Sequence, residues 1–342
     1  MSETVKSTPR VLLVSPLTFS YHDTICDALR ENGFDPIWWN DKASSSTLYK
    51  LALRLLPRLT RLVTEKHFIE QIDQMPSDSV DHVLLIKAEG MTARVVSHLR
   101  ARQPRASLGL HLWDSQENVN GIDKLVPLAD AVSSFDPVDA RENGWIYRPL
   151  FARNVAMSAV GCERKVFDWC FIGTIHSDRH RVISRLRKVT GGAERSFVFA
   201  YFQSPMVLKL RKLIDWTLWS APKGTLSTMP MAAADVARIM ARSRTVLDIE
   251  HPRQRGLTMR TIETLLAGNK LITTNKRLLE CDLYDASRAQ IIDRNDPRIN
   301  QAFLSQAVKP IPQELRNRYS CKAWVKELID IQSSKVRSAG KE

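Results

Sequence analysis

No stretch of about eighteen consecutive apolar residues occurs anywhere in the 342, so nothing in the chain reads as a membrane-spanning helix. The opening, MSETVKSTPR, lacks the apolar core of a secretory signal, and none is expected there. Cysteine is scarce and unpatterned. Cys26, Cys162, Cys170, Cys281 and Cys321 are odd in number and lack metal-ligand spacing, which favours reduced thiols in a cytoplasmic protein over a disulfide frame. No GxGxxG follows the first predicted strand, and no DxD-type pair follows any strand, so neither a dinucleotide site nor a metal is expected. Repeats and low-complexity tracts are also missing. Acidic residues are in deficit, 37 Asp plus Glu against 50 Lys plus Arg. That excess attracts something anionic: nucleic acid, an anionic membrane face or a phosphorylated small molecule.

What is present is a chain of about twice the common domain length, with 44% hydrophobic residues and alternating strand and helix patterns. The most informative stretch runs from Arg244 to Asn275, RTVLDIEHPRQRGLTMRTIETLLAGNKLITTN. Thr245, Val246, Leu247 and Ile249 form a buried strand, and a loop spans Glu250 to Leu257. Thr258 caps a short helix, Gly268 ends it where a left-handed residue is wanted, and Leu271 to Thr274 form the next strand. A helix opening beside the carboxyl end of a parallel strand is where open α/β sheets bind phosphates. Arg260 and Glu263 share one face of that helix. The guanidinium suits a phosphate, and the carboxylate can accept hydrogen bonds from two ribose hydroxyls. A surface Arg–Glu pair on an ordinary helix is the plainer alternative.

Together with the segment YDASRAQIIDRNDP, this stretch resembles the carboxyl-terminal half of bacterial GT-B glycosyltransferases that build lipopolysaccharide, capsule or exopolysaccharide. The resemblance covers roughly residues 165–300 and is looser before them. It implies an α/β fold of two Rossmann-like domains facing across a cleft. The expected division is an acceptor-binding domain over 1–155, a nucleotide-sugar-binding domain over 156–312, and a C-terminal helix over 313–342 that crosses back and ends in a frayed tail. The ribose-holding Glu of that family would be Glu263. The second Glu that many of these enzymes carry seven residues earlier is replaced by Gly256, so their sugar-ring contacts do not transfer.

In the first half, Arg10 to Ser15 reads as a strand and Pro16 to His22 as a loop. Asp23 then caps a helix to Asn32, and Phe34 to Trp39 is a second strand. His22, at the carboxyl end of the first strand, is a candidate general base or an incidental loop histidine. Residues 47–72 combine Leu48, Leu51, Leu55, Leu59, Leu62 and Val63 at helical spacing with Lys50, Arg54, Arg58, Arg61 and Lys66, and Pro57 is a predicted kink. Such a helix either lies on an anionic membrane surface or packs on the core with a solvated basic face. His82 to Lys87 and Leu108 to Leu112 are further strands. The first leads to Glu89 and the second to Trp113-Asp114-Ser115. Asp114 is the preferred catalytic or acceptor-orienting carboxylate, with Glu89 second. The alternative for Asp114 is to cap the following turn.

In the second half, Asp168 to Gly173 is a strand, and the phrase FIGTIHSDRHRVISRL leads from it into a helix opened by Arg179. Gly173, Thr174 and Arg179 are placed near a donor diphosphate, although any strand–Gly–helix turn looks alike. Residues 205–219, PMVLKLRKLIDWTLW, read as an apolar and basic helix with Trp216 and Trp219 near its end, fit for a membrane surface or for core packing. Gln254 and Gly256 are candidates to line the base or phosphate cleft, beside Thr258.

These readings predict a cytoplasmic glycosyltransferase, peripheral on the inner face of the membrane. It would use a nucleotide-sugar donor, a glycan or glycolipid acceptor and no metal or other cofactor. The rivals are a basic nucleic-acid-binding protein, for which no recognition motif is present, and a non-catalytic sugar-nucleotide-binding subunit of an envelope assembly complex.

Overall fold

The computed structural model describes residues 8–17, 20–44, 57–153, 164–192 and 194–339, with the side chains of 57–59 and 336–339 excepted. The chain divides into two compact units, Met1–Leu150 with Ser320–Glu342 and Phe151–Tyr319. The first boundary falls five residues before the expected 155, and the return comes at Ser320 instead of 313.

Unit 1 runs β1 (Arg10–Ser15), α1 (Tyr21–Glu31), β2 (Asp35–Asn40), α2 (Pro57–Gln74), β3 (His82–Ile86), α3 (Ala93–Arg102), β4 (Ser107–Leu112), α4 (Ile122–Leu125), β5 (Ala131–Ser134), α5 (Pro137–Asn143) and β6 (Ile146–Tyr147). Its sheet is parallel, in the order β2-β1-β3-β4-β5-β6. Helices cover both faces of such a sheet, so its central strands are mostly apolar, with Ser107 and His111 the polar members of β4. Val11 to Val14 are fully buried, as are all six residues of β4.

Unit 2 runs β7 (Phe167–Thr174), α6 (Arg179–Val189), β8 (Ser196–Tyr201), α7 (Pro205–Ile214), β9 (Leu226–Ser227), α8 (Ala233–Ala241), β10 (Ser243–Asp248), α9 (Met259–Leu266), β11 (Lys270–Thr273), β12 (Ala289–Ile291), α10 (Gln301–Ser305) and α11 (Gln313–Arg318). It too is a parallel six-stranded sheet, ordered β12-β11-β10-β7-β8-β9. The chain then re-enters unit 1 as α12 (Cys321–Ala339), which packs on α1, β4 and β5. Gly109 of β4 allows that approach: a Cβ there would lie 2.0 Å from Oε1 of the buried Gln332. The predicted frayed tail is helical as far as Ala339.

Several local expectations are corrected. Ser20, not Asp23, stands at the start of α1, so His22 lies in the helix's first turn and not in a loop. Helix α2 is described from Pro57 onward, so the predicted kink and the residues 47–56, with Lys50 and Arg54, lie outside the described residues. Its buried face is Thr60, Thr64, Glu65, Phe68 and Ile72, while Leu62 and Val63 are exposed, because that is the side turned toward unit 1's core. The helix predicted over 205–219 stops at Ile214, and a 3₁₀ turn follows over Trp216–Ser220. Cys26, Cys170, Cys281 and Cys321 are free thiols. No helix among the described residues is long and apolar enough to cross a membrane.

Candidate active site

In an open parallel sheet the crevice for ligands lies at the carboxyl ends of the strands where the order reverses. In unit 2 that point is between β7 and β10, which are adjacent in the sheet although far apart in sequence. Gly173 and Thr174 close β7, and Arg179 opens α6. The Arg179 side chain folds back, donating from Nε to the Ile249 carbonyl at 2.6 Å and from Nη1 to the Thr174 carbonyl at 2.9 Å. It therefore ties the two strand ends together.

Two imidazoles lie in the same place, with His176 and His251 ring centroids 5.6 Å apart. Burial, then the Arg179 guanidinium and His251, push His176 down to about 3. Burial, then Arg253, Arg179 and Arg294, lower His251 as well. Burial is the larger cause for both rings, and the neighbouring guanidiniums add to it. Arg294, from the loop after β12, pairs with Asp178 at 2.6 Å and with Glu250 at 2.5 Å, and Thr274 donates its hydroxyl to Glu250. Sequence reasoning passed over His176, His251, Glu250 and Arg294. The available signal was position, since each follows the carboxyl end of a strand.

Helix α9 has the predicted cap: the Thr258 hydroxyl accepts from the Thr261 amide at 3.0 Å. The same hydroxyl donates to Asp248 at 2.5 Å, and Thr261 Oγ1 donates to that oxygen at 2.6 Å. A carboxylate of the protein thus already sits at the α9 N-terminus, where helix dipole and free amides favour negative charge. Gln254 and Asn275 each donate to the Gly256 carbonyl at 3.1 Å, so Gln254 and Gly256 meet by shaping the loop. Arg260 and Glu263 do share a face, with Arg260 Nη1 3.9 Å from Glu263 Oε2 and 3.5 Å from the Met240 sulfur. The Glu263 side chain, however, is only 3% exposed, and its Oε1 accepts from Arg153 Nε at 2.7 Å. It is a buried carboxylate with a partner, and a ribose would have to share or displace Arg153.

In unit 1 the order reverses between β1 and β3. At the end of β3, Lys87 (φ 66°) and Ala88 (φ 55°) are both left-handed. Such a conformation costs a non-glycine residue on the order of 1–2 kcal/mol. The turn sets Lys87 Nζ between Glu89 Oε1 at 2.9 Å and Asp114 Oδ2 at 2.8 Å, and Lys42 closes on Glu89 at 2.6 Å. Asp114 and Glu89 are therefore brought together, bridged by one ammonium group. Burial raises the Glu89 pKa, but Lys87 and Lys42 outweigh it and hold the carboxyl below its ordinary value.

Beneath this bridge lies Asp41, which is fully buried, with neither carboxylate oxygen in good hydrogen-bond geometry. Burial pushes it up to about 6, while Lys42, Lys87 and the Glu89 amide pull the other way and Glu89's charge adds to the rise. Gly90 is needed above it, since a Cβ there would fall 2.0 Å from the Asp41 carbonyl oxygen. His22 stands apart from this cluster in its described contacts. Its Nε2 is 3.3 Å from Asp23, its ring lies on Trp38 at 4.2 Å between centroids, and its Nδ1 is buried without a partner.

No protein-family model and no curated protein sequence matches the chain. Among solved structures it is similar to a glycosyltransferase from Rickettsia africae, with a TM-score of 0.60 and 11% identity over 97% of this chain and 99% of that one. It is also similar to a UDP-forming α,α-trehalose-phosphate synthase from Burkholderia vietnamiensis, with a TM-score of 0.56 and 12% identity over 97% and 99%. A third is HepE of Anabaena, solved in complex with UDP and glucose, with a TM-score of 0.51 and 10% identity over 98% and 100%. Identities this low speak for the fold and not for the activity. The two parallel six-stranded sheets with their helices are the α/β architecture of the GT-B glycosyltransferases.

Proposed function

We propose that the protein is a glycosyltransferase that moves a sugar from a nucleotide-sugar donor onto a cell-surface glycan or lipid-linked acceptor, as in lipopolysaccharide or exopolysaccharide assembly. It would work in the cytoplasm at the inner face of the membrane. The observation that carries this reading is the reversal point of unit 2's sheet, where Arg179 bridges the ends of β7 and β10, Arg294 is held by Asp178 and Glu250, and His176 and His251 lie side by side. A diphosphate leaving group needs positive charge held in place before the bond breaks. That solved proteins of the same fold include a UDP-forming synthase and a complex with UDP and glucose supports the donor class.

Gly173 and Thr174 would flank the diphosphate, Arg179 and Arg260 would offset its charge, and Gln254, Gly256 and Thr258 would shape the loop beside it. Glu263 would hold the ribose. Protein cations and helix termini then do the work of a metal, and no cofactor is invoked. On the acceptor side, Asp114, Glu89 and His22 are the base candidates. A base is required only if the reaction inverts the anomeric centre.

A second reading, a sugar-nucleotide-binding subunit without turnover, is favoured by one fact: Lys87 pairs with both Asp114 and Glu89, so each candidate base is already engaged by a cation. A thermal-shift panel of UDP-, GDP-, CMP- and dTDP-sugars, followed by donor hydrolysis, separates the two. Asp114→Asn should cut turnover far more than donor affinity. Donor binding without turnover in the wild type supports the second reading, and no response to any nucleotide sugar defeats both.

A further inference from the structure

Helix α7 carries its apolar stripe on the wrong side for a core helix. Ser204 caps it by accepting from the Val207 amide at 3.2 Å, and Pro205 takes the first position. Met206, Leu210 and Leu213 then recur at helical spacing with Ile214 beside them, the pattern of a buried face. Yet they are 71%, 54%, 79% and 72% exposed. No residue of α7 is buried, and only Val207 and Leu208 lean on the core of unit 2. The following 3₁₀ turn adds Trp216 and Trp219, 81% and 68% exposed.

The charges around this stripe are of one sign. Lys209, Arg211, Lys212 and Lys223 belong to the segment, whose one acid, Asp215, is buried and bonded to the Thr217 amide and hydroxyl. Lys212 Nζ lies 4.7 Å over the Trp219 ring, and Trp219 Nε1 donates to the Lys212 carbonyl at 3.1 Å. Trp219 is thus anchored beside Lys212. His180, in the first turn of α6, hydrogen-bonds to Thr217 of the 3₁₀ turn at 2.9 Å, which places that turn beside the end of α6 that Arg179 opens.

We propose that α7 and the 3₁₀ turn after it dock unit 2 on an anionic lipid surface. Met206, Leu210, Leu213 and Ile214 reach the acyl boundary, Trp216 and Trp219 sit at headgroup level, and the lysines and arginines meet lipid phosphates. The inference rests on the membrane-proximal acceptor proposed above and names the surface that would bring the donor site to it. A second copy of the chain is disfavoured as the occupant, since a two-fold interface would set these cations against their own counterparts.

The test uses the full chain and flotation with phosphatidylglycerol-containing vesicles against pure phosphatidylcholine vesicles. Wild type should float with the anionic vesicles, less so as salt rises. The double variant Leu213→Ser, Trp216→Ser should lose about tenfold or more in partitioning. A second variant, Lys209→Glu with Lys223→Glu, should abolish the preference for anionic lipid, and it keeps the test open if the first variant does not fold. Equal flotation of folded variants and wild type overturns the proposal. So does a wild type that ignores both vesicles, or one that elutes as a dimer which the double variant dissociates. Nucleotide-sugar binding measured without lipid reports the catalytic reading separately, so either can fail alone.

Discussion

Glu263 is where a structural and a binding role meet, and two substitutions separate them. Glu263→Gln keeps the side-chain shape and removes its charge. Losing one member of a buried ion pair costs on the order of 3–5 kcal/mol. Arg153, the partner left behind, keeps 26% of its side chain in solvent and can rehydrate, so the expected loss falls to about 2–3 kcal/mol. Arg153→Gln breaks the same contact from the other side and leaves the carboxylate, 3% exposed, with only its longer contact to Arg260 at 3.9 Å, so it should cost a similar amount. Denaturant unfolding should therefore show both variants weakened to a similar degree.

Donor affinity is where they part. If the carboxylate accepts two ribose hydroxyls, Glu263→Gln gives up charge-assisted hydrogen bonds worth about 1.5–3 kcal/mol, or roughly 10- to 150-fold in Kd. Arg153→Gln leaves the acceptor in place, and affinity should stay within about twofold or tighten. Titration calorimetry with the nucleotide sugar found by the thermal-shift panel measures both. Equal donor affinity in the two variants would refute the ribose assignment and leave Glu263 as an anchor for the segment after Leu150.

Asp41→Asn should stabilise the protein at alkaline pH by about 1–3 kcal/mol. The folded pKa of Asp41, about 6, lies above its ordinary 3.8, so the fold penalises the charged form in full above pH 6 and not at all below about pH 4. Unfolding midpoints across that range should show the gain shrinking on acidification; a less stable variant at alkaline pH would be the contrary result. His111 runs the opposite way: burial, then Arg148, press it down to about 3, so the unfolded chain takes up a proton that the folded one refuses. Its contribution is whole above about pH 6.5 and is lost toward pH 3 at up to about 1.4 kcal/mol per pH unit, which a comparison of His111→Gln with wild type over that range would read. Gly109→Ala should drive Gln332 from its hydrogen bond to Ser107 Oγ, 3.0 Å long, and cost about 1–3 kcal/mol; adding Gln332→Ala should recover part of it, and additivity of the two losses would contradict the contact.

Much of the local structure was legible because it is decided by neighbours in the chain. The apolar runs of β1 and β4, the Thr258 cap of α9 and the left-handed Gly268 (φ 73°) that ends it follow from hydrophobic spacing and backbone stereochemistry alone. The succession of strand and helix predicted parallel sheets and the chain length two domains, while the pairing of two Rossmann-like domains was what the resemblance implied. Asp114 and Glu89 could be placed at strand ends, because a strand's carboxyl end is a sequence property. That one lysine would bridge them could not, since it depends on β3 and β4 being neighbours and on two residues adopting a backbone that nothing in Lys87-Ala88 announces.

Tertiary structure alone decided the rest. Arg179 meets the Ile249 carbonyl across 70 residues and Arg153 meets Glu263 across 110, because strand order, which no local pattern encodes, puts their elements side by side. Periodicity showed that 205–214 has an apolar face but not which way it points. A helix's spacing defines a stripe, and only the sheet it packs on determines whether that stripe is hidden or, as here, turned to the outside.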